Sequence, residues 1–229
     1  MILSIIIPVY NEEKTVLKSL QSLKDLNKNL FQHEVIVVND GSQDSTSKIL
    51  NENKNLYDKL LTNETNKGKG FSIKKGIIEA KGTHIICHDA DLEYNPKDIS
   101  KFEKIFADFD ADGVLGSRFN YSDYTRSHNI LNKFANHLIT LTFNLLYNTT
   151  FTDIYSCYFA FKKELIDPNL LKTSGFEQHA EILCKVVKSG KKFYEVPINY
   201  SGRSYSEGKK IRPHHFFSVI YQIFLRRFI

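Results

Sequence analysis

Two aspartates separated by one residue, Asp89 and Asp91, follow the apolar run 85–87 and His88. Carboxylates at the end of a buried strand can hold a divalent cation, because Mg²⁺ and Mn²⁺ favour one or two protein carboxylates together with phosphate oxygens. This spacing also occurs by chance in solvated turns, so the surrounding segments must decide between the two interpretations.

Two further apolar runs upstream also end in polar loops. The run 4–9 is followed by a loop that contains Glu12, and the run 35–38 by a loop that contains Asp40. A helical pattern follows each loop, and this alternation predicts a parallel sheet, in which ligands bind at the carboxyl ends of the strands. Such polar residues are also ordinary in turns and caps. Three consecutive loops with acidic side chains at one edge nevertheless favour a ligand site.

A glycine-rich segment, 66–70, precedes a predicted helix over 71–79. Its glycines permit a tight loop, and Lys67 and Lys69 add positive potential at the start of the helix. The segment lacks the spacing and the Ser or Thr of a Walker motif, and the chain has no G-x-G-x-x-G sequence. A nicotinamide enzyme is therefore disfavoured.

Four ordered segments, 8–13, 38–42, 66–70 and 89–91, resemble the motifs of glycosyltransferase family 2. Within that family, the chain is most similar to the dolichyl- and polyprenyl-phosphate sugar synthases. Further matches are Gly116–Phe119, Thr152–Asp153 with Ser156, Gly175–Glu177, Glu195–Ile198, and Arg203 followed by Glu207–Ile211. The resemblance covers nearly the whole chain.

The resemblance implies an α/β fold of the Rossmann-like GT-A type, a single domain with a mostly parallel central sheet flanked by helices. That domain is expected over residues 1–212, and an amphipathic C-terminal helix over 213–229. The implied activity is a metal-dependent, inverting transfer of a sugar from a UDP- or GDP-sugar to a polyprenyl phosphate. The implied cofactor is Mg²⁺ or Mn²⁺.

The resemblance also implies roles for individual residues. Glu12 is expected to accept hydrogen bonds from ribose hydroxyls, and Asp40 to face the base or ribose with Val38 beneath it. Asp89 and Asp91 are the expected metal ligands. Glu93 is expected to help hold the metal directly or through water, with an exposed loop glutamate as the alternative. Asp91, Arg118 and Arg203 are the expected catalytic residues. The predicted nucleotide-sugar site comprises Pro8, Tyr10, Asn11, Glu12, Val38, Asp40, Lys69, Asp89, Ala90, Asp91, Arg118, Arg203 and Lys209.

The acceptor depends on whether a catalytic base is needed. A hydroxyl acceptor must lose its proton during attack, whereas a polyprenyl phosphate is already anionic and needs orientation instead. Glu177 and Glu181 are candidate bases, although their spacing also fits a plain amphipathic helix. Arg126 is a candidate ligand for an acceptor phosphate, or a solvated surface charge. Lipid phosphate is the favoured acceptor, and a hydroxyl of a glycan, a protein or a small molecule is the alternative.

Two apolar segments bear on membrane contact. The stretch 134–152 carries no Lys, Arg, Asp or Glu, and is interpreted as an interfacial helix, with a buried core helix as the competitor. The stretch 213–225 is too short to span a bilayer, which needs about 20 apolar residues. Because Arg226 and Arg227 follow it, it suits a helix in the headgroup region of an anionic membrane or a helix packed on the domain.

Composition bounds the class of protein. A chain of 229 residues with 41% hydrophobic content and a net charge of +5 can form one sizeable core. Three scattered cysteines and an opening segment without a basic region predict a cytoplasmic protein. The resemblance and the two apolar segments further predict that it is peripheral on the cytoplasmic face of a membrane. The expected partners are a nucleotide sugar, a lipid phosphate and a membrane surface, not nucleic acid. A nucleotidylyltransferase is disfavoured because segment 8–12 is not a glycine-rich, arginine-bearing loop.

Overall fold

The computed structural model describes residues 1–26, 30–120, 130–203 and 215–229, which contain one seven-stranded sheet with helices on both faces. The strands are β1 (Ile2–Val9), β2 (Gln32–Asn39), β3 (Lys59–Thr62), β4 (His84–Cys87), β5 (Gly113–Ser117), β6 (Phe159–Lys162) and β7 (Phe193–Pro197). The helices are α1 (Val16–Lys24), α2 (Thr46–Glu52), α3 (Lys69–Glu79), α4 (Ile99–Phe109), α5 (Ile130–Tyr147), α6 (Gln178–Ser189) and α7 (His215–Phe228).

The strand order is β3-β2-β1-β4-β6-β5-β7, and only β6 runs antiparallel to its neighbours in this sheet. The order reverses between β1 and β4, which is where ligands bind in open parallel sheets. The loops after β1 and β4 therefore lie side by side at the carboxyl edge. The prediction of an α/β domain with a mostly parallel sheet is confirmed.

Both faces of the sheet are buried, because successive side chains of a strand point to opposite sides. On one face, Ile6 of β1 packs in a cluster with residues of α3, α5, α6 and α7. On the other face, Ile5 and Ile7 pack with residues of α1, α2 and α4. This two-sided burial explains why the central strands are continuous apolar runs in the sequence.

Helix α3 begins at Lys69, two residues before the predicted start. Gly68 precedes it with a φ of 100°, a value that residues other than glycine rarely adopt. A Cβ atom at Gly68 would also lie 2.5 Å from the carbonyl oxygen of Ser174. The glycine therefore permits both the backbone turn and the close approach that bring Lys69 to the sheet edge.

Helix α7 packs on α5 and α6, and contributes Val219 and Ile223 to the core. Arg226 is buried too, with its Nη2 atom 2.9 Å from Oε1 of Glu181. Of the two interpretations of this segment, packing on the domain is therefore the one that the structure shows. The expected boundary between residues 212 and 213 lies outside the described residues.

Helix α5 buries only a narrow face. Ile139, Thr140 and Phe143 point into the core, whereas Leu141 and Leu145 are exposed. Helix α5 thus contributes one face to the core and leaves the other exposed. In the described ranges, no helix has the length and apolar character required to cross a bilayer.

Candidate active site

A cavity of about 950 Å³ opens at the carboxyl edge of the sheet, next to the β1 and β4 loops. Most of the residues predicted for the nucleotide-sugar and metal sites line it, namely Pro8, Tyr10, Glu12, Asp40, Lys69, Asp89, Ala90, Asp91, Glu93, Arg118 and Arg203. Val38 is fully buried in the core below, and Asn11 is exposed, with its Oδ1 atom accepting from the amide of Gln43. Lys209 and Arg126 lie outside the described residues.

Asp89 forms an ion pair with Lys69, the first residue of α3. The Nζ atom of Lys69 lies 2.6 Å from Oδ1 and 2.9 Å from Oδ2 of Asp89. Although burial disfavours its charged form, Asp89 holds the pKa of Lys69 well above its ordinary value. Burial likewise opposes the charge on Asp89, but Lys69 lowers the pKa of that carboxyl. Both groups are therefore charged at neutral pH.

The charged form of Asp91 is less well stabilised than that of Asp89. Its Oδ2 atom accepts from Nη2 of Arg203 at 2.8 Å, and its Oδ1 atom accepts from the backbone amide of Glu93 at 3.1 Å. Burial raises the pKa of Asp91 to about 7, repulsion from Asp89 and Glu93 adds to the rise, and Arg203 opposes it. Asp91 is thus a carboxylate whose charge the surrounding residues only partly balance.

Glu93 fastens the segment that carries Arg203. Its Oε2 atom accepts from the hydroxyl of Tyr200 at 2.7 Å, and its Oε1 atom accepts from the amide of Arg203 at 2.9 Å and from its Nε atom at 3.2 Å. Glu93 is buried, so the alternative of an exposed loop glutamate is wrong. Because its oxygens accept hydrogen bonds from Tyr200 and Arg203, Glu93 anchors residues 200–203. Its role as a metal ligand stays a prediction.

Asp40 turns its carboxylate toward the glycine-rich loop. Oδ1 accepts from Nδ2 of Asn63 at 2.7 Å and from the amide of Lys67 at 2.9 Å, and Oδ2 accepts from the amide of Gly68 at 2.9 Å. The side chain is buried and borders the cavity. Asp40 therefore fixes the loop that begins α3. Its contact with base or ribose stays a prediction.

Arg118 is held by a chain of acidic groups. Its Nε and Nη2 atoms lie 2.7 and 2.8 Å from the two carboxylate oxygens of Asp153. Glu195 in turn accepts from the amides of Thr152 and Asp153, at 2.8 and 3.2 Å. The guanidinium also lies over the ring of Tyr200, 5.1 Å from its centroid. Three sequence segments matched to the family thus combine to orient one arginine at the cavity wall.

Glu177 and Glu181 differ in their surroundings, and neither belongs to the described lining of the cavity. Glu177 is half-buried, and its Oε1 atom accepts from the amide of Gly175 at 3.2 Å. Glu181 is fully buried, and its oxygens accept from the amides of Lys172 and Thr173 as well as from Arg226. Glu181 thus joins α6 to α7 and has no route to an acceptor in this structure.

His88 is a supporting residue that the sequence analysis did not identify. Its ring lies within 3.1 Å of Oγ of Ser19 and within 2.7 Å of the hydroxyl of Tyr158. Burial lowers the pKa of His88 to about 4, so the ring is neutral at physiological pH. The two contacts hold the backbone from which Asp89 and Asp91 project. Only its place before the aspartates could have indicated this role.

The part of the cavity wall that α5 and α7 provide is mostly apolar, although Asn132, Asn136 and His215 also line it. Helix α5 contributes Leu131, Phe134, Leu138 and Ile139, and helix α7 contributes Phe216 and Phe217. Several of these side chains, including Phe134 and Phe217, are also exposed to solvent. One cavity therefore combines a charged edge with an apolar wall that extends to the surface of the molecule.

The acidic residues suit a hard divalent cation but do not enclose one. In the part of the chain that the structure describes, no group of three or more His, Cys, Asp or Glu side chains converges as a metal site. Asp89 and Asp91 offer carboxylate oxygens beside a cavity, and Mg²⁺ or Mn²⁺ bound by one or two carboxylates takes its remaining ligands from phosphates and water. The donor set thus fits a cation that arrives with a nucleotide.

A sequence profile described as glycosyl transferase family 2 matches residues 4–169. The chain belongs to this family. An uncharacterized protein of Methanocaldococcus jannaschii is 35% identical over 222 residues, which is 90% of this chain and 93% of that protein. The dolichyl-phosphate β-glucosyltransferase of Mus musculus is 35% identical over 116 residues, 46% of this chain and 36% of that protein.

Solved structures agree on the fold. Glucosyl-3-phosphoglycerate synthase from Mycobacterium tuberculosis, in complex with Mn²⁺, UDP and phosphoglyceric acid, has a TM-score of 0.74 at 17% identity, covering 99% of this chain and 78% of that one. S. aureus TarS with UDP-GlcNAc has a TM-score of 0.63 at 18% identity, covering 99% and 66%. The predictions of a GT-A fold and of a glycosyltransferase are confirmed.

Proposed function

We propose that this family 2 glycosyltransferase moves a sugar from a nucleotide-diphosphate sugar to a polyprenyl phosphate, with inversion at the anomeric carbon. The observation that carries the proposal is the composition of the cavity, in which Asp89 and Asp91 face apolar side chains of α5 and α7. A nucleotide sugar and a lipid phosphate need those two environments in one place.

The donor is assigned to the charged edge. Tyr10 and Glu12 line the part of the cavity next to β1, and a carboxylate is a strong acceptor for the paired hydroxyls of a ribose. Lys69, Arg118 and Arg203 supply positive charge for the diphosphate. Structural neighbours that bind UDP or UDP-GlcNAc support a nucleotide donor.

Asp89 and Asp91 are proposed to hold Mg²⁺ or Mn²⁺ together with the donor diphosphate. When bound, the cation would neutralise the charge that develops on the leaving diphosphate. The neighbour with Mn²⁺ and UDP supports this cofactor. Asp40 and His88 contribute indirectly, since they fix the loops that carry Lys69 and Asp89.

The acceptor is assigned to the apolar wall. A lipid phosphate needs no proton removed, so this acceptor does not require a base from the carboxylates or the His179 ring that line the cavity. The acceptor phosphate would meet the cations of the charged edge, and the first isoprene units would pack on Phe134 and Leu138. The mouse relative, whose name specifies dolichyl phosphate, supports this assignment over the matched half of the chain.

The lipid tail is proposed to leave the cavity toward a membrane on the cytoplasmic side. The same two helices, α5 and α7, also carry exposed apolar side chains outside the cavity, among them Leu141, Leu145, Tyr221 and Phe224. Arg227 is exposed at the end of α7 and can contact anionic headgroups, whereas Arg226 is buried. The basic contribution expected from both arginines is thus assigned to Arg227.

The test compares acceptors at fixed donor. Purified protein with Mn²⁺ and either UDP-glucose or GDP-mannose is incubated with a polyprenyl phosphate, with the corresponding polyprenol, or with a water-soluble sugar and no lipid. We expect product only with the lipid phosphate. Transfer to the soluble sugar in the absence of lipid would overturn the proposal in favour of a hydroxyl acceptor, with Glu177 as the first candidate base.

A further inference from the structure

The two aspartates of the proposed metal site already have cationic partners in the protein itself. Lys69 pairs with Asp89 at 2.6 Å, and Arg203 pairs with Asp91 at 2.8 Å. Arg203 extends further, with its Nε atom 3.2 Å from Glu93 and its Nη1 atom 3.5 Å from Glu12. Three carboxylates from two different loops therefore share one guanidinium.

Arg203 and Lys69 are attached to the molecule in different ways. Lys69 is part of helix α3, and its Nζ atom also lies 3.8 Å from Sγ of Cys157. Arg203 lies in a segment outside the regular helices and strands. Its backbone amide and its Nε atom both donate hydrogen bonds to Glu93. Because Arg203 lies outside the helices and strands, its backbone and side chain can move away from Asp91 together, whereas the backbone of Lys69 is fixed in α3.

A divalent cation at Asp91 would compete with this guanidinium. Metal–oxygen distances for Mg²⁺ are about 2.0–2.1 Å, so a metal on Asp91 would lie within a few ångströms of Arg203. Repulsion between a divalent and a monovalent cation at such a distance is strong where water is largely excluded. A nucleotide diphosphate changes the balance, since it offers Arg203 new anionic partners and gives the metal its remaining ligands.

We propose that Arg203 is the resident counter-ion of the acidic site, which suppresses metal binding to the nucleotide-free protein and promotes it once a nucleotide is present. This inference rests on the metal-dependent donor site of the proposed function but not on the identity of the acceptor. As a consequence, the effect of Arg203 on Mn²⁺ affinity has opposite signs without and with nucleotide. Removing Arg203 strengthens Mn²⁺ binding without nucleotide and weakens it with nucleotide.

The experiment measures Mn²⁺ affinity by the loss of the free-ion electron paramagnetic resonance signal, with no nucleotide, with UDP and with GDP. For Arg203→Gln without nucleotide, we expect affinity about tenfold higher than for the wild type, a coupling of ordinary size. With the nucleotide that binds, we expect affinity about tenfold lower than for the wild type. Arg203→Lys keeps a cation at the site and should retain the weak nucleotide-free affinity.

Lys162→Gln is the matched control. Lys162 also bridges two carboxylates, and its Nζ atom lies 2.7 Å from Asp110 and 3.3 Å from Asp112. It pairs with the first residue of β4, at the end of the sheet opposite to the cavity. Its removal changes the net charge equally and should leave both Mn²⁺ affinities unchanged. A second readout is thermal unfolding without nucleotide, in which Mn²⁺ should raise the midpoint of Arg203→Gln more than that of the wild type.

An Arg203→Gln protein that binds Mn²⁺ no better than the wild type without nucleotide would overturn the inference. Equal shifts in Arg203→Gln and Lys162→Gln would overturn it too, because they would reflect net charge alone. Failure of the lipid acceptor, with the reversal observed, would overturn only the proposed acceptor. Absence of Mn²⁺ binding in every combination would overturn both the inference and the metal-dependent donor site.

Discussion

At the scale of single residues, the site contains a buried carboxylate whose charge lowers the stability of the fold. Asp91 is buried, lies near Asp89 and Glu93, and has its pKa raised to about 7. A carboxyl with a raised pKa is less stable as an anion in the folded chain than in the unfolded chain. Such an arrangement persists where function requires the charge.

Asp91→Asn should therefore stabilise the fold while abolishing transfer. The folded wild type takes up a proton at Asp91 below about pH 7, whereas the unfolded chain does so near its ordinary pKa of 3.8. This contribution to wild-type stability falls as pH rises through that window, so the advantage of Asp91→Asn grows up to about pH 7. At pH 8 without metal we expect a gain of about 1 kcal/mol, or about 2–4 °C in Tm. Equal Tm values at pH 8 would contradict this account of Asp91.

Asp40→Asn tests whether Asp40 positions the glycine-rich loop. The substituted amide would present a donor to the amide of Lys67 or Gly68, where the structure needs an acceptor. We expect UDP and GDP affinities to fall together, by about 1–3 kcal/mol, because the loop and Lys69 shift. Titration calorimetry with both nucleotides measures the effect.

Asp58→Asn provides the comparison, since Asp58 accepts from the amide of Val35 at 2.7 Å, away from the cavity. It should lower stability without changing nucleotide affinity. A loss confined to one base in Asp40→Asn would instead return Asp40 to its predicted contact with the nucleoside.

At the scale of elements, α7 carries two stripes of side chains, one buried against the domain and one exposed and aromatic. Val219, Gln222, Ile223 and Arg226 are buried at helical spacing. A second stripe contains Phe217, Tyr221, Phe224 and Phe228, and it is exposed. Because both stripes have the same period, the sequence could not show which one faces the domain. The buried pair between Arg226 and Glu181 decides it, and Glu181 lies far from Arg226 in the chain.

Arg226→Ala should therefore destabilise the protein strongly, since it leaves Glu181 as an uncompensated buried charge. We expect a loss of about 3–5 kcal/mol in the free energy of unfolding, measured by urea denaturation. The adjacent Arg227 is exposed and lies 5.7 Å from the ring centroid of Tyr147. Arg227→Ala should cost less than about 1 kcal/mol, and comparable losses in the two variants would contradict the buried role of Arg226.

The sequence was sufficient for the order of strands and loops near β1, β2 and β4. Apolar runs followed by Glu12, Asp40 and Asp89 predicted one functional edge, because the carboxyl ends of parallel strands lie together. It was insufficient for the direction in which side chains point. Asp40 turns to amides 27 and 28 residues away, and Arg203 reaches Asp91 across 112 residues. Local patterns contain no information on contacts of that range.

At the scale of the whole molecule, the exposed faces of α5 and α7 form an apolar surface on the side of the cavity wall. Large exposed patches of this kind mark interaction sites. We expect co-sedimentation with liposomes that contain anionic lipid, and a decrease in Phe217→Ser and in Arg227→Glu. The arginine contributes roughly 1 kcal/mol, and high salt should weaken that part.

Phe109→Ser is the control for this surface, because Phe109 is exposed on α4 against the other face of the sheet. It should leave co-sedimentation unchanged. Binding that falls equally in Phe109→Ser and Phe217→Ser would show that the attachment is not specific to the α5 and α7 surface.

One cavity is proposed to bind a nucleotide sugar at its charged edge and a lipid phosphate at its apolar wall. The most direct test is the KM for a water-soluble, short-chain polyprenyl phosphate in Phe134→Ser, compared with Leu145→Ser. Both side chains are exposed on α5, at 67% and 76%, but only Phe134 lines the cavity. Loss of aromatic contact should raise the acceptor KM at least about tenfold in Phe134→Ser, with the donor KM unchanged and Leu145→Ser like the wild type. An unchanged acceptor KM in Phe134→Ser, with turnover intact, would contradict the account.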